Sequence, residues 1–340
     1  MEGLSELYQN RLSENSRKIE SLQKKKIIFS VLRFVSFTSI FFVIYFFSEL
    51  NSYLSIVILL FIILAFAMFI KQFNSIKKQI KYNKILRDLN KDEIEALKGE
   101  TNQFHSGDEY INFDHPFSYD MDIFGEASLF AYINRTTTIA GKKNLVNELS
   151  IIRKDKKQIE LRQAAIKEFA EMIDFRQAFS ASSILHEKQF KESIQSINDD
   201  VKNALHNWSA NKLVFIHKTV WTVLLFLLPT VSLILLLSGI LKILPFSFMW
   251  LSFFLNLSVI GFFLKRTNHE HQKLGKRTGT LLKVKELVKI LEFSEFKSDY
   301  AETLRKQFLV NGSSFQRIQK LYKILNAFDM RLNMIAGILL

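Results

Sequence analysis

The 340-residue chain contains no cysteine, which excludes disulfide bonds, thiolate metal ligands and a cysteine nucleophile but does not identify the compartment. Proline is also rare, with three in the whole chain, and none lies within residues 1–26 or 72–100. These two segments are rich in Lys, Glu, Gln, Leu and Ile, and they predict helices. No stretch shows the convincing alternation of apolar and polar residues that a strand requires. We therefore expect an all-α fold.

Catalytic signatures are missing as well. The chain has no G-x-x-x-x-G-K-[ST] loop, because its Gly-Lys pairs at 141–142 and 275–276 are followed by Lys and Arg. Its seven histidines form no ordered pattern with Ser or Asp. The polar loop 105–115 carries His, Asp and Glu residues, but their spacing fits no metal motif. We predict no catalytic, cofactor or metal-binding residue in these 340 residues.

Long apolar runs are what the chain has in abundance. Residues 27–47 and 53–70 each approach the ~20 apolar residues that cross a bilayer. Arg33 is the only charged residue in them, and it lies near the start of the first run, where its side chain can reach the interface. A second pair of runs covers about residues 219–237 and 245–264. The short connection within each pair predicts two helical hairpins, and thus four transmembrane helices.

The distribution of Lys and Arg around the hairpins predicts their orientation. Seven lysines lie at 24–26 and 71–81, whereas the only charged residue at the tip of the first hairpin is Glu49. Four basic residues flank the second hairpin, and its tip carries only Lys242. Both hairpins should therefore enter from the cytoplasm and return to it. A signal peptide is the alternative for the first run, but 26 residues precede it and another span follows at once.

The polar segment 114–149 is rich in turn signals. Gly125 is expected to break the chain, and Ser128 to cap a short helix. The apolar residues that share one face of this helix are Leu129, Phe130 and Ile133.

Thr136 or Thr138 is expected to cap the helix that follows. Gly141 inside that helix costs about 1 kcal/mol relative to Ala unless another backbone packs close to it. Asp155 and Gln158 resemble a capping box that opens a third helix. The buried side of the third helix is predicted to consist of Ile159, Ile166, Phe169 and Ile173.

Further helices are predicted in the second half of the chain. The helical pattern continues over 185–211, and it returns at about 280–291 and 314–328. Ser313 and Gln316 offer a second capping box. These helices and those before them are expected to pack on one another.

Short motifs follow one another along residues 113–340. They are Asp122-Ile123-Phe124-Gly125, the helix start Ser128-Leu129-Phe130, Asn134-Arg135-Thr136 followed by Thr138 and Gly141, Arg162-Gln163 with Glu168, and Arg331-x-Asn333. In this order and spacing they resemble the core and lever region of MutS-family DNA mismatch repair proteins. Together with Asp114-His115-Pro116, they look most like a membrane-anchored MutS-like branch found in bacteria.

The resemblance implies a helical core from which long lever helices extend. In the family these levers connect a DNA clamp to a C-terminal ATPase that uses ATP and Mg²⁺. Hydrophobic spans occupy the place of the clamp here, and no domain resembles the mismatch reader. The signature residues are therefore expected to be structural, and no DNA-contacting residue is assigned.

The expected organisation has four segments. Residues 1–100 form N-terminal cytoplasmic helices and the first hairpin, 101–212 the first part of a MutS-like core, 213–266 the second hairpin, and 267–340 the lever helices and the second part of the core. The resemblance implies a multi-pass protein of the bacterial inner membrane, with its polar segments in the cytoplasm. The apolar stretch 334–340 predicts that the natural protein continues toward an ATPase, or that a neighbouring chain supplies one.

Two functions are left open at this point. The chain is expected to be a membrane-anchored, DNA-associated core and lever module that works with an ATPase. The alternative is a membrane-bound helical scaffold that binds other proteins and has no DNA role. Expected partners of the module are membrane lipid, DNA phosphates, an ATPase domain in cis or trans and a second copy of the chain. The net charge of +13 fits phosphate partners, but positive flanks of membrane helices would also produce it.

Overall fold

The computed structural model describes residues 2–47, 52–100, 103–186, 281–310 and 312–339, with short pieces between 227 and 279. In this part of the chain every regular element is helical, which confirms the all-α prediction for the described residues. The chain divides into two compact units, Met1–Leu185 with Glu286–Ser314 and His186–Lys285 with Phe315–Leu340.

Two long helices open the chain. Helix α1 is Glu2–Phe47 and helix α2 is Ser52–Leu97, each of 46 residues, or about 70 Å at the α-helical rise per residue. Both are long and apolar enough to cross a membrane. Each continues unbroken from a predicted span into a polar segment, as the sequence predicts. The other predicted spans, 219–237 and 245–264, lie largely outside the described residues.

Helices α1 and α2 pack side by side as an antiparallel hairpin. The Phe29 ring lies 6.2 Å from Phe69, and the Phe37 ring lies 6.1 Å from Phe66. Later positions on α1 thus meet earlier positions on α2. The part of the hairpin far from its tip is closed by a buried cluster of Ile19, Ile76 and Ile80.

The apolar halves of the hairpin direct large side chains outward. Phe34 is 68% exposed, Phe61 is 73% exposed and Leu64 is 61% exposed. A protein surrounded by water rarely leaves such a continuous apolar surface uncovered. Helices that face lipid have this arrangement.

The remaining helices are short, apart from the last. They are α3 (Leu129–Ile133), α4 (Ile139–Ser150), α5 (Lys156–Glu171), α6 (Ile173–Leu185), α7 (281–293), α8 (Asp299–Gln307) and α9 (Ser314–Leu339).

Three predicted helix starts are confirmed by their hydrogen bonds. The Ser128 hydroxyl accepts from the amide of Ala131, three residues on, at 3.2 Å. Thr138, rather than Thr136, caps α4 by accepting from Gly141. The Asp155 carboxylate accepts from the amide at position 158. Each bond satisfies one of the amides that a helix start leaves without an intrahelical partner.

The predicted packing faces are partly wrong. Ile166 was expected to be buried in α5 but is 67% exposed, and α5 buries Ala165 instead. The helix also ends at Glu171, so Ile173 begins α6. On α3, where Leu129, Phe130 and Ile133 were expected to share one face, Phe130 is buried, whereas Leu129 is 44% exposed and Ile133 is 39% exposed. Tertiary contacts determine which face of a helix is buried, and the periodicity of apolar residues carries no information about those contacts.

The second half of the chain differs from the prediction in two places. Helix α8 is not predicted at all, because its residues are mostly polar. Helix α9 continues past position 328 to Leu339. The predicted helix over 185–211 lies outside the described residues beyond position 186.

Helix α6 packs against α2 of the hairpin. The Gln177 side-chain amide donates to the Asn90 carbonyl oxygen at 2.7 Å, and Asn90 is fully buried in α2. Arg11 of α1 pairs with Asp174 at 2.7 Å. At the other end of α6, the Lys81 ammonium donates to the backbone oxygen of Leu185. Polar bonds therefore tie both ends of α6 to the hairpin.

Candidate functional site

Residues 103–150 fold into a compact region of loops and short helices, which we call the hub. Its centre consists of three aromatic rings, Tyr110, Phe124 and Phe130, with centroids 5.6 to 6.2 Å apart. Phe130 has no exposed surface. The side chains of α4 that pack against these rings are Leu145, Val146 and Leu149. The hub therefore has an apolar core of its own.

Left-handed backbone positions bring the loops of the hub around this core. Gly107 has φ +79° and Gly125 has φ +116°, which glycine adopts without steric cost. A Cβ at Gly107 would lie 2.8 Å from the Phe130 ring. Asp122 also has a positive φ, of 47°. The Gly125 amide donates to the backbone oxygen of Ser106 at 3.1 Å, so the predicted chain break joins two loops.

A buried amide organises the turn between α3 and α4. The Asn134 side-chain oxygen accepts from both the backbone amide and the hydroxyl of Thr136, at 3.0 and 2.7 Å. Its amide nitrogen donates to the backbone oxygen of His105 at 3.2 Å. Asn134 is only 4% exposed, so these bonds satisfy a side chain that water barely reaches.

Arg135 connects this turn to the hairpin. Its guanidinium makes two parallel bonds to the Glu93 carboxylate of α2, at 2.7 and 3.2 Å. The same group lies 3.6 Å from the centroid of the Phe104 ring. Paired and stacked arginines of this kind are the stronger class of polar contact. The hub is thereby fixed to the end of α2.

A second charged group joins the hub to α5. Arg153 and Arg162 both donate to the Glu148 carboxylate at the end of α4. The hydrogen bond from Arg153, with that from Arg162, lowers the pKa of Glu148 to about 2. The Arg162 guanidinium also lies 5.3 Å from the Tyr300 ring of α8. Glu148 thus stays ionised at neutral pH between two cations.

Glu168 of α5 binds the start of α8. Its carboxylate accepts from the backbone amides of Lys297 and Ser298. The Lys297 amide, together with Ser298, lowers the pKa of Glu168. An acidic group is favoured at this position because the start of a helix carries partial positive charge. Glu168 thereby anchors α8 to α5.

A cavity of about 540 Å³ lies where the hub, α2 and α6 meet. Its volume falls within the range of small-molecule and side-chain binding pockets, roughly 300 to 1,000 Å³. Phe104 and Phe175 line it, together with the ion pair of Arg135 and Glu93. Arg176 also lines it, and its Nε atom is buried without a hydrogen-bond partner. The cavity combines an apolar lining with a few polar groups.

The structure divides the eleven signature residues into several groups. Asp122, Phe124 and Gly125 belong to the loops and core of the hub. The backbone amide of Gly141 donates to the Thr138 hydroxyl that caps α4. Asn134, Arg135 and Thr136 line the cavity together. Arg162 joins the Glu148 group, while Gln163 is exposed. The side chains of Arg331 and Asn333 lie outside the described residues.

No family model, curated protein or solved structure matches the chain. The resemblance to MutS proteins therefore depends on the motifs themselves and stays a prediction. Within the hub, those motifs make contacts inside the chain: Asn134 closes a turn, and Arg135 pairs with Glu93. These are the positions that the resemblance implies to be structural.

Sequence reasoning missed three residues that these contacts require. Glu93 and Phe104 hold Arg135, and Glu148 holds the two arginines beside it. One signal was available for Glu93, since no basic residue lies three or four positions from it on α2. An acidic residue without a partner on its own helix is a candidate for a tertiary ion pair. Phe104 has no such signal, because an uncharged ring in a loop does not require a charged partner.

The polar loop 105–115 makes ordinary structural contacts. Glu109 pairs with Lys142 at 3.0 Å, and His105 lies 3.5 Å from the same carboxylate. His115 interacts with the backbone oxygen of Ser150 at 3.1 Å. Across the described ranges, no group of three or more His, Cys, Asp or Glu side chains is placed to hold a metal ion.

Proposed function

We propose that the chain is a membrane-anchored, DNA-associated module that resembles the core and lever region of MutS proteins. It would act mechanically and would be coupled to an ATPase outside these 340 residues. The observation that carries the proposal is the pair of bonds between Arg135 and Glu93. They connect the hub, which bears the family motifs, to a helix long enough to cross a membrane.

The form of the hairpin helices supports a mechanical role. Helix α2 contains neither Gly nor Pro, the residues at which helices most often kink. A continuous helix moves as a rod, and its outer end is fixed to the hub through Arg135 and to α6 through Asn90. A displacement at one end of α2 is therefore passed to the other.

The proposed topology has four spans in the bacterial inner membrane, with the hub in the cytoplasm. The lysines beside both hairpins support it, since positive residues near span ends remain on the cytoplasmic side. Single cysteines test it cleanly because the chain has none of its own. Cysteines at Ser52 and Ser238 should react with an impermeant thiol reagent in intact cells. Cysteines at Ser106 and Ser313 should react only after the cells are permeabilised.

Labelling at Ser106 in intact cells would place the hub outside the cytoplasm. That result would remove the DNA role, because chromosomal DNA is cytoplasmic. Labelling at Ser52 but not at Ser238 would leave the first hairpin in place and contradict the second.

The proposed association with DNA depends on Lys and Arg meeting phosphates. Binding of this kind weakens steeply with salt and does not read base sequence. Detergent-solubilised protein can be titrated with a matched duplex and with the same duplex carrying one mismatch, at several salt concentrations. We expect equal affinities that fall together as salt increases. A strong preference for the mismatch would contradict the expectation that the chain has no mismatch-reading domain.

A protein-binding scaffold is the second candidate, and the cavity favours it. Its rings Phe104 and Phe175 could receive an apolar side chain of a partner, beside the polar groups of Arg135 and Arg176. The DNA titration also separates the two candidates. If neither duplex binds at the lowest salt concentration, the scaffold becomes the better account of the hub.

A further inference from the structure

The hairpin has an unusual charge distribution. Between residues 21 and 87 there are ten Lys and Arg residues, and the only acidic residue is Glu49 near the hairpin tip. The antiparallel packing of α1 and α2 brings residues 24–26 of one helix beside residues 71–78 of the other. The basic residues of these two stretches lie next to the apolar half of the hairpin, and we call them the collar.

Two of these cations meet at a single aromatic ring. The Lys26 ammonium lies 5.9 Å from the centroid of Phe73, and the Arg33 guanidinium lies 4.6 Å from it. Both cations come from α1 and the ring from α2. Within the described part of the chain neither cation is paired with a carboxylate, and the two like charges beside one ring repel each other. An anion within reach of both side chains would offset that repulsion.

The position of Arg33 also favours binding of an anion. It lies inside the first apolar run, where an arginine is costly unless its guanidinium reaches the interface and finds a partner. In this structure the guanidinium is directed toward Phe73, beyond the end of the second apolar run. The ring supplies part of the stabilisation, but it carries no full negative charge.

We propose that Lys26 and Arg33 bind the phosphate of an anionic phospholipid headgroup against the ring of Phe73. Arginine can donate two parallel bonds to a phosphate, and lysine adds a compact charge. The lack of acidic residues in the collar would favour a lipid with net negative charge over a zwitterionic one. This inference rests on the membrane anchoring in the proposed function, and it is independent of the DNA role.

The neighbouring side chains favour a lipid over nucleic acid as the source of the phosphate. Ile27 is 65% exposed, Ile28 is 57% exposed and Phe34 is 68% exposed, all on the same stretch of α1. A phospholipid offers hydrocarbon to these side chains together with a phosphate for the two cations. A DNA backbone offers the phosphate but leaves the apolar surface in water.

The test uses the full chain in nanodiscs of phosphatidylcholine that contain a minor share of phosphatidylglycerol. Protein is released with mild detergent, and the lipids that remain bound are identified by native mass spectrometry. We expect phosphatidylglycerol to be enriched about fivefold or more over its bulk share, since one cation near the surface already contributes about 1 kcal/mol, which is about fivefold. The double variant Lys26→Gln with Arg33→Gln should lose most of this enrichment.

Three variants serve as controls. Arg17→Gln with Lys84→Gln removes two exposed basic residues from the same helices and should keep the enrichment. Arg33→Lys keeps the charge and should retain most of it. Phe73→Leu removes only the ring and should reduce it in part. Equal helix content by circular dichroism and equal membrane insertion show that each variant is folded.

Two results would overturn the inference. Phosphatidylglycerol retained at its bulk share, or equally by the double variant and the Arg17 and Lys84 control, would exclude the headgroup site. Displacement of the lipid by added duplex DNA, with the same dependence on Lys26 and Arg33, would assign these cations to nucleic acid. Enrichment without any DNA binding would support the lipid site while removing the DNA role.

Discussion

The hairpin and the hub are built in opposite ways, although they belong to the same compact unit. The hairpin joins two 46-residue helices mainly through apolar side chains and ring contacts, with many large side chains left exposed. The hub has short helices, left-handed turns and a small aromatic core surrounded by specific polar bonds. The hairpin therefore depends on its surroundings to cover it, whereas the hub carries the contacts that define its shape.

This difference predicts that equivalent substitutions have unequal effects in the two regions. Phe130→Ala removes a fully buried ring from the hub and should destabilise it by about 3 to 5 kcal/mol. Phe37→Ala removes a hairpin ring that is 48% exposed, and it should cost about 1 kcal/mol or less in detergent. Amide hydrogen exchange of hub and hairpin peptides measures both opening free energies. Equal losses would contradict the comparison.

The glycines sharpen the comparison further. Gly107→Ala places a methyl group against the Phe130 ring at a positive φ, and should destabilise the hub by about 2 to 4 kcal/mol. Gly99→Ala is the matched control, because Gly99 has φ +91° but nothing within 4 Å of the added Cβ. It should cost about 1 kcal/mol, which is the backbone contribution alone. Thermal unfolding of the two variants by circular dichroism separates the contributions.

The connection between the two regions should be of intermediate strength. Glu93→Gln removes the negative charge that pairs with Arg135 at a partly buried site. It should lower the free energy of unfolding by about 1 to 2 kcal/mol. The control is Glu95→Gln, since Glu95 has similar exposure on the same helix but makes a single, longer contact of 3.6 Å with the exposed Lys91. Its effect should stay below about 0.5 kcal/mol. Hydrogen exchange should increase at residues 134–138 in the first variant alone.

The smallest expected effect is on the loss of stability at acidic pH. The pKa of Glu148 is lowered to about 2 by its hydrogen bond from Arg153, with Arg162 beside it. A depressed pKa contributes stability above the unfolded value of about 4.3, and this contribution is lost as pH falls toward 2. Glu148→Gln should therefore flatten the decline of stability over this pH range. Melting temperatures of both proteins between pH 5 and pH 2 test this, and parallel curves would contradict the assignment.

Local signals explain which parts of the fold could be predicted. Ser128, Thr138 and Asp155 each satisfy an amide three residues away, so the sequence nearby contains both partners. The lengths of the hairpin helices follow in the same way from uninterrupted runs without Pro. Ile166 shows the limit, because a periodic apolar position becomes exposed when no other helix covers it.

The candidate site was predictable only through its motifs. The motif Asn134-Arg135-Thr136 was identified, but its partner Glu93 lies 42 positions from Arg135 and belongs to another helix. Glu168 was identified too, yet its partners at 297 and 298 lie about 130 positions away. Pairings over such distances depend on how the helices pack, and the separate elements do not specify that packing.

The hydrogen bond between Gln177 and the buried Asn90 favours one register of α6 on the hairpin. If α6 slid along α2 by one turn, the buried carbonyl oxygen of the Asn90 side chain would lose its donor, at a cost of about 1 to 3 kcal/mol. A purely apolar seam would tolerate such sliding far better, since one methyl group can replace another. The bond therefore selects a single longitudinal position. When α2 shifts along its axis, α6 must travel with it, and so must Leu185, where the chain leaves this unit.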